Sequence, residues 1–263
     1  MPTKISRWRS TAVLAVAAVV ITAASSAPET VPIRVGPSLV VSGELARPVG
    51  DGPFAAVVML HGCSGPWKPW GDLWAGRLVR WGYVALQVDS FGPRGFPDGI
   101  CDRLGAVGAT ASAEDSHAAK AYLQGLPFVD PDRIGVLGMS HGGSAALWAV
   151  QNSHLVETPR QDPFEAAVAL YPYCERALYR LDAPLLILAG ELDDWTIADN
   201  CERMTVEGDS EHGLSLQVYP GATHVFDVDL PDREYLGHSL RHHPAAARDA
   251  EARVRAFLAK HLR

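Results

Sequence analysis

The chain has 263 residues, enough for one sizeable α/β domain and short for two. Its composition, 48% hydrophobic and 20% charged, excludes collagen-like and disordered classes. A formal charge of −7 argues against nucleic acid as a partner and disfavours strongly anionic polymers as substrates.

The N-terminus has the layout of a targeting signal. Lys4, Arg7 and Arg9 form a basic region, Thr11 to Ala24 is uncharged and apolar, and small residues follow through Ala27. That apolar stretch is short for a membrane span, which needs about 20 residues. Residues 1–26 are therefore expected to be a signal peptide, with an uncleaved anchor as the alternative. Residues 27–263 are then a single domain, periplasmic or secreted, with no stable membrane insertion. The segment carries three cations and no acid, so its removal takes the net charge from −7 to −10.

Val31 to Leu45 alternates well enough for two antiparallel strands turning near Gly36-Pro37-Ser38. Phe54 to Leu60 is a continuous apolar run, as a strand buried on both faces requires. Similar runs recur at Val84–Val88, Ile134–Leu137, Ala166–Leu170, Leu185–Leu188 and Leu214–Val218. Helical patterns lie between them at Trp70–Trp81, Thr110–Leu126, Gly143–Gln151 and Ala198–Glu207, and a last helix is expected over Pro244–His261. Strands alternating with helices imply a doubly wound, mostly parallel α/β sheet with helices on both faces. Two long loops, Phe91–Ala109 and Phe226–His243, each follow a strand's carboxyl end, where ligands bind in open α/β sheets.

The chemistry centres on Gly138-Met139-Ser140-His141-Gly142-Gly143, which lies between a strand-like and a helix-like stretch. Strand, Gly-x-Ser-x-Gly, helix is the context of a nucleophile elbow, which lifts a serine hydroxyl above the sheet. A serine needs a base, and the base needs an orienting acid, in the chain order Ser, Asp or Glu, His. The acids Glu191, Asp193 and Asp194 follow one later strand. His224 is the downstream histidine that comes directly after a sheet strand. His154, His212, His238, His242, His243 and His261 are expected to be solvated. Oxyanion donors are expected from the backbone N–H of His141 and, on the His61-Gly62-Cys63-Ser64-Gly65 loop, of Cys63. A rival reading makes the Cys63 or His61 side chain catalytic.

These segments, with Gly190-Glu191-Leu192-Asp193-Asp194-Trp195-Thr196, Tyr219 to Asp227 and Ser90 to Gly95, resemble the dienelactone hydrolase family over most of residues 35–260. The resemblance implies an α/β-hydrolase fold, hydrolysis of a small-molecule ester or lactone, and no metal or organic cofactor. It selects Asp193 as the acid, counting back four positions from Ile197, which stands where the family carries proline. Founding members use a cysteine nucleophile. Serine at position 140 makes the chemistry that of a general serine esterase. The alternatives are a peptidase with the same triad and a non-catalytic binding protein on the same fold.

Arg94 and Trp195 are candidates for substrate contact. Trp67, Trp70, Phe91, Phe96 and Tyr173 lie in comparable positions and are candidates for a pocket wall or for loop packing. The four cysteines form no Cys-x-x-Cys pair, which argues against structural zinc. Cys174 and Cys201 follow neighbouring elements at one sheet edge and are expected to form a disulfide in an oxidising compartment. Cys63 and Cys101 follow the third and fourth strands in the same way, with a long loop between them.

Overall fold

The computed structural model describes residues 27–151, 162–175, 177–207 and 212–263, so the expected signal segment and His154 lie outside the described residues. Eight strands build the main sheet: β1 (Glu29–Arg34), β2 (Val40–Ala46), β3 (Phe54–Leu60), β4 (Val84–Asp89), β5 (Val129–Met139), β6 (Ala167–Leu170), β7 (Leu185–Gly190) and β8 (Leu214–Tyr219). Their order is β1-β2-β4-β3-β5-β6-β7-β8. β2 is antiparallel to both β1 and β4, and all other pairs are parallel.

The apolar runs are explained by a helical layer on each face. Along β3, Ala56, Val58 and Leu60 pack into one core and Ala55, Val57 and Met59 into the other. The first core includes Ala113, Ala119 and Leu123 of α2 (Ala109–Gln124) and Ala145 to Leu147 of α3 (His141–Ala149). The second includes Trp70, Trp74 and Leu78 of α1 (Lys68–Arg80) and Ala250, Val254 and Leu258 of α5 (Pro244–His261). His243 caps α5, its Nδ1 accepting the Ala246 N–H at 3.2 Å. It is thus a helix cap, not the solvated histidine its setting in the sequence implies.

Register then gathers the loops that matter. Leu60 lies opposite Gly138, Met139 opposite Leu170, Leu170 opposite Leu188, and Gly190 opposite Tyr219. The carboxyl ends of β3, β5, β6, β7 and β8 therefore share one edge, and every loop leaving them opens onto the same space.

Three segments depart from the expected elements. The helix expected over Ala198–Glu207 ends at Glu202 as α4 (Ala198–Glu202), and Thr205–Val206 instead pairs in parallel with Ala177–Leu178. Both of those residues are β-branched and favour extended backbone. α3 ends at Ala149, and Gln151 forms a bridge to Leu181. The loop after β8 contains a hairpin, Arg233–Tyr235 paired with His238–Leu240. Its turn residues Leu236 and Gly237 have φ of 52° and 84°, the positive values that a two-residue hairpin turn of right-handed twist needs.

Candidate active site

Ser140 sits between β5 and α3 with φ 51° and ψ −118°, a backbone conformation that costs free energy for any residue with a Cβ. The flanking glycines make this turn possible by close approach. A Cβ on Gly138 would overlap the Gly142 carbonyl, and one on Gly142 would overlap the Leu60 carbonyl. Ser140 N–H donates to Leu170 O at 2.9 Å, which pins the turn to the neighbouring strand end.

His224 reaches Ser140 from the loop after β8. Ser140 Oγ lies 3.0 Å from His224 Nε2, and His224 Nδ1 lies 2.7 Å from Asp193 Oδ2. With Nδ1–H donating to the carboxylate, Nε2 is left as the acceptor for the serine hydroxyl. All three residues are buried. The neighbouring acid, Asp194, points elsewhere: it accepts the Ser239 N–H at 3.2 Å and pairs with His238 at 3.3 Å.

The Asp193 carboxylate is closely supported. Its Oδ1 accepts the N–H groups of Trp195 (2.9 Å) and Thr196 (2.8 Å), and its Oδ2 accepts the Thr196 hydroxyl (2.9 Å) as well as His224. Burial pushes its pKa up, but the His224 hydrogen bond and charge and the Thr196 donors outweigh burial. The net direction is below the usual carboxylate value. Thr196, which the sequence reading did not single out, also lies 2.9 Å from Tyr171 O and so ties the acid loop to the end of β6.

A second buried carboxylate stands behind the histidine. Asp227 accepts the indole N–H of Trp74 (2.7 Å) and the Tyr171 hydroxyl (2.8 Å), and the Tyr171 ring meets the His224 ring edge-on at 4.8 Å. Burial raises the pKa of Asp227 despite those donors, and burial beside Asp227 raises that of Tyr171. Nothing in the spacing of Trp74, Tyr171 and Asp227 along the chain marks them as partners; only the fold joins them.

The loop after β3 approaches from the other side. The Cys63 side chain is bonded to Cys101, with a sequence separation of 38, and is therefore not a free thiol. Ile100 N–H also donates to Cys63 O at 2.7 Å. His61 uses both ring nitrogens structurally: Nδ1–H donates to Gly62 O (2.8 Å) and Nε2 accepts the Ser90 N–H (3.1 Å). Burial lowers its pKa to about 4, so it is neutral at pH 7. Neither side chain is placed for the rival catalytic role. The His141 N–H is the first amide of α3, where no partner exists within the helix. The second disulfide joins Cys174 to Cys201, tying the segment after β6 to α4 beside the acid loop.

Two cavities meet at Ser140. One, of about 250 Å³, is lined by Trp67, Arg233 and Tyr235 and includes His224 and Val225. The other, of about 300 Å³, is lined by Leu104, Ala109, Trp148 and Tyr173 and includes His141. Cys63, Ser140 and Trp195 border both. Arg94 does not reach either lining. Its guanidinium forms a bidentate pair with the buried Asp115 (2.7 and 2.8 Å) and donates to Ser90 O, so it anchors the loop after β4. The substrate contact expected from sequence is corrected accordingly: a desolvated carboxylate is the stronger claim on a fork of donors. Trp70 and Phe91 are core residues, and Phe96 packs against the cluster of Cys63, Phe91, Ile100 and Val107.

Strand order and the strained elbow are those of the α/β-hydrolase fold. Within that class it belongs to the Dienelactone hydrolase family, whose sequence profile matches residues 41–262. A Bradyrhizobium protein described as a probable 2-oxo-3-(5-oxofuran-2-ylidene)propanoate lactonase is 27% identical over 237 residues, covering 83% of this chain and 88% of that protein. The dienelactone hydrolase of Anabaena variabilis superposes with a TM-score of 0.64 at 21% identity, covering 90% of this chain and all of that one. A dienelactone hydrolase-like promiscuous phosphotriesterase from metagenomic libraries gives 0.71 at 17% identity, over 91% of this chain and 100% of that one. The chain is a hydrolase of this family.

Proposed function

We propose that the protein is an exported serine hydrolase of carboxylic esters or lactones that works through an acyl-enzyme. The observation that carries this reading is the contact series Ser140 Oγ–His224 Nε2–Asp193 at 3.0 and 2.7 Å, centred where two cavities meet. Ser140 Oγ attacks the carbonyl carbon as His224 Nε2 takes its proton. The tetrahedral oxyanion is held by the N–H groups of Cys63 and His141, each worth about 3 kcal/mol in the transition state. Collapse breaks the C–O bond, and His224 returns the proton to the departing alcohol. Water, deprotonated by His224, then releases the acid. Asp193 holds the Nδ1–H tautomer and stabilises the imidazolium.

The Bradyrhizobium relative supports lactones as one class of substrate. Export is supported by the basic and apolar N-terminal segment and by two disulfides, which persist in oxidising compartments.

Ser140→Ala is expected to abolish both hydrolysis of p-nitrophenyl acetate and labelling by a fluorophosphonate, with an unchanged circular dichroism spectrum. Undiminished turnover in that variant would overturn the mechanism. Faster cleavage of a matched peptide amide than of the ester would transfer the reading to a peptidase.

A further inference from the structure

Resting on the ester-hydrolase reading above, we infer that the two cavities divide the substrate. The leaving alcohol occupies the cavity beneath the 233–240 hairpin, that alcohol is aromatic, and an apolar acyl chain occupies the cavity beside α2. The division follows from where the proton must go. In acylation the Ser140 Oγ–carbon bond forms, the carbon–alcohol oxygen bond breaks, and the proton from Ser140 passes through His224 Nε2 to that oxygen. The departing oxygen must therefore lie within hydrogen-bond reach of Nε2. His224 and the following Val225 border the hairpin-side cavity and not the other, whereas His141 borders the other and not this one. With the oxyanion directed at the Cys63 and His141 amides, the acyl substituent is left to the cavity of Leu104 and Ala109.

The walls then specify the two halves. Trp67, Trp195 and Tyr235 line the alcohol side in a space of about 250 Å³, room for an aromatic ring and a small substituent. Trp195 and Tyr235 lie 5.9 Å apart between centroids, and the Arg233 guanidinium stands 5.8 Å over the Trp67 ring. Aromatic faces so placed favour a ring over a saturated group of equal size by edge and offset contacts. On the acyl side Leu104 and Tyr173 are exposed, Ala109, Trp148 and the shared Trp195 complete the apolar wall, and Glu175 lies in the lining. An alkyl chain fits there, and a carboxylate-ended acyl group is repelled.

The test compares benzyl with cyclohexylmethyl esters, and acetates with butyrates, on the mature protein. In the wild type kcat/KM for benzyl butyrate is expected to exceed that for cyclohexylmethyl butyrate by roughly fivefold. Tyr235→Ala should erase that ratio while leaving the acetate-to-butyrate ratio and the deacylation rate of the butyryl enzyme unchanged. Ala109→Leu should do the reverse, lowering butyrates against acetates for both alcohols alike and slowing deacylation. Swapped effects, or no effect of either variant on its ratio, would overturn the division while leaving the ester-hydrolase reading intact. Failure of the wild type to cleave any of the four esters would overturn that reading and the division together.

Discussion

Consecutive aspartates in one loop, Asp193 and Asp194, each meet a histidine, and the two pairs behave as different chemical objects. Asp193 and His224 are 2.7 Å apart with side chains 0% and 3% exposed. Asp194 and His238 are 3.3 Å apart with side chains 48% and 30% exposed. Trp195 stands between them, stacked on His238 at 4.4 Å and tilted against His224 at 5.2 Å. The buried carboxylate has three further donors to satisfy it, from Trp195 and Thr196, while Asp194 adds only the Ser239 amide. Side-chain identity is the same in both pairs. What differs is that desolvation makes the first pair strong and geometrically fixed, while solvent screens the second.

The largest break in this comparison is at the acid. Asp193→Asn keeps the shape of the side chain but removes the charge and the tautomer control, so kcat should fall about 10⁴-fold. Asp194→Asn should stay within about twofold on the same ester. Steady-state kinetics of the two variants decide the matter. Equal losses would mean that burial does not separate the pairs in function, whatever the distances.

A third histidine sharpens the role of burial. His61 is as buried as His224, but its nearest carboxylate, Asp89, is 3.9 Å away and makes no hydrogen bond to the ring. Without a close acid, burial lowers the pKa from 6.5 to about 4. The unfolded chain therefore binds more protons than the folded one between those values, and stability rises with pH across that window. It is fully present above about pH 6.5 and is lost as pH falls toward 4. The drop is about 3 kcal/mol for this residue. Urea unfolding of the wild type and His61→Gln at pH 7, 6, 5 and 4.5 should show the wild type losing stability faster on acidification. Parallel curves would show that His61 is not held neutral by the fold.

The sheet is largely legible in sequence because its central strands, buried on both faces, are unbroken apolar runs; the run at Ile134–Leu137 captures only the later part of β5 (Val129–Met139), and β8 is a half-buried edge strand. Ser140 and His224 were legible from their place at strand ends. Asp193 needed the family resemblance, since Glu191, Asp193 and Asp194 all leave the same strand. The rest was set by contacts remote in the chain. Arg94 could not be separated from a substrate-binding arginine until Asp115, 21 residues away, was seen beneath it. The hairpin of residues 233–240 lies in a polar stretch with little alternation, and its turn uses leucine at positive φ, so no turn signature announced it. The Trp74–Asp227 contact spans 153 residues and leaves no local trace. His238 reads as a surface histidine in sequence because its stacking partner, Trp195, lies 43 positions away in the chain, on the loop after β7, the strand paired with β8.

The smallest expected effect belongs to that outer pair. If screening governs it, a double-mutant cycle of Asp194→Ala and His238→Ala should give a coupling energy under about 1 kcal/mol, decreasing from 0.05 to 0.5 M salt as a Debye length of several ångströms is approached. His238 has a second attachment, since its ring lies nearly parallel to Trp195 at 13°. His238→Phe keeps the stack and loses the ion pair, whereas His238→Ala loses both. Stability measured by thermal unfolding should therefore rank wild type and His238→Phe close together and His238→Ala lower. The reverse order, with His238→Phe as damaging as His238→Ala, would show that the ion pair rather than the ring contact holds the hairpin against the acid loop. In that case the two aspartates of this loop would be more alike than their environments imply.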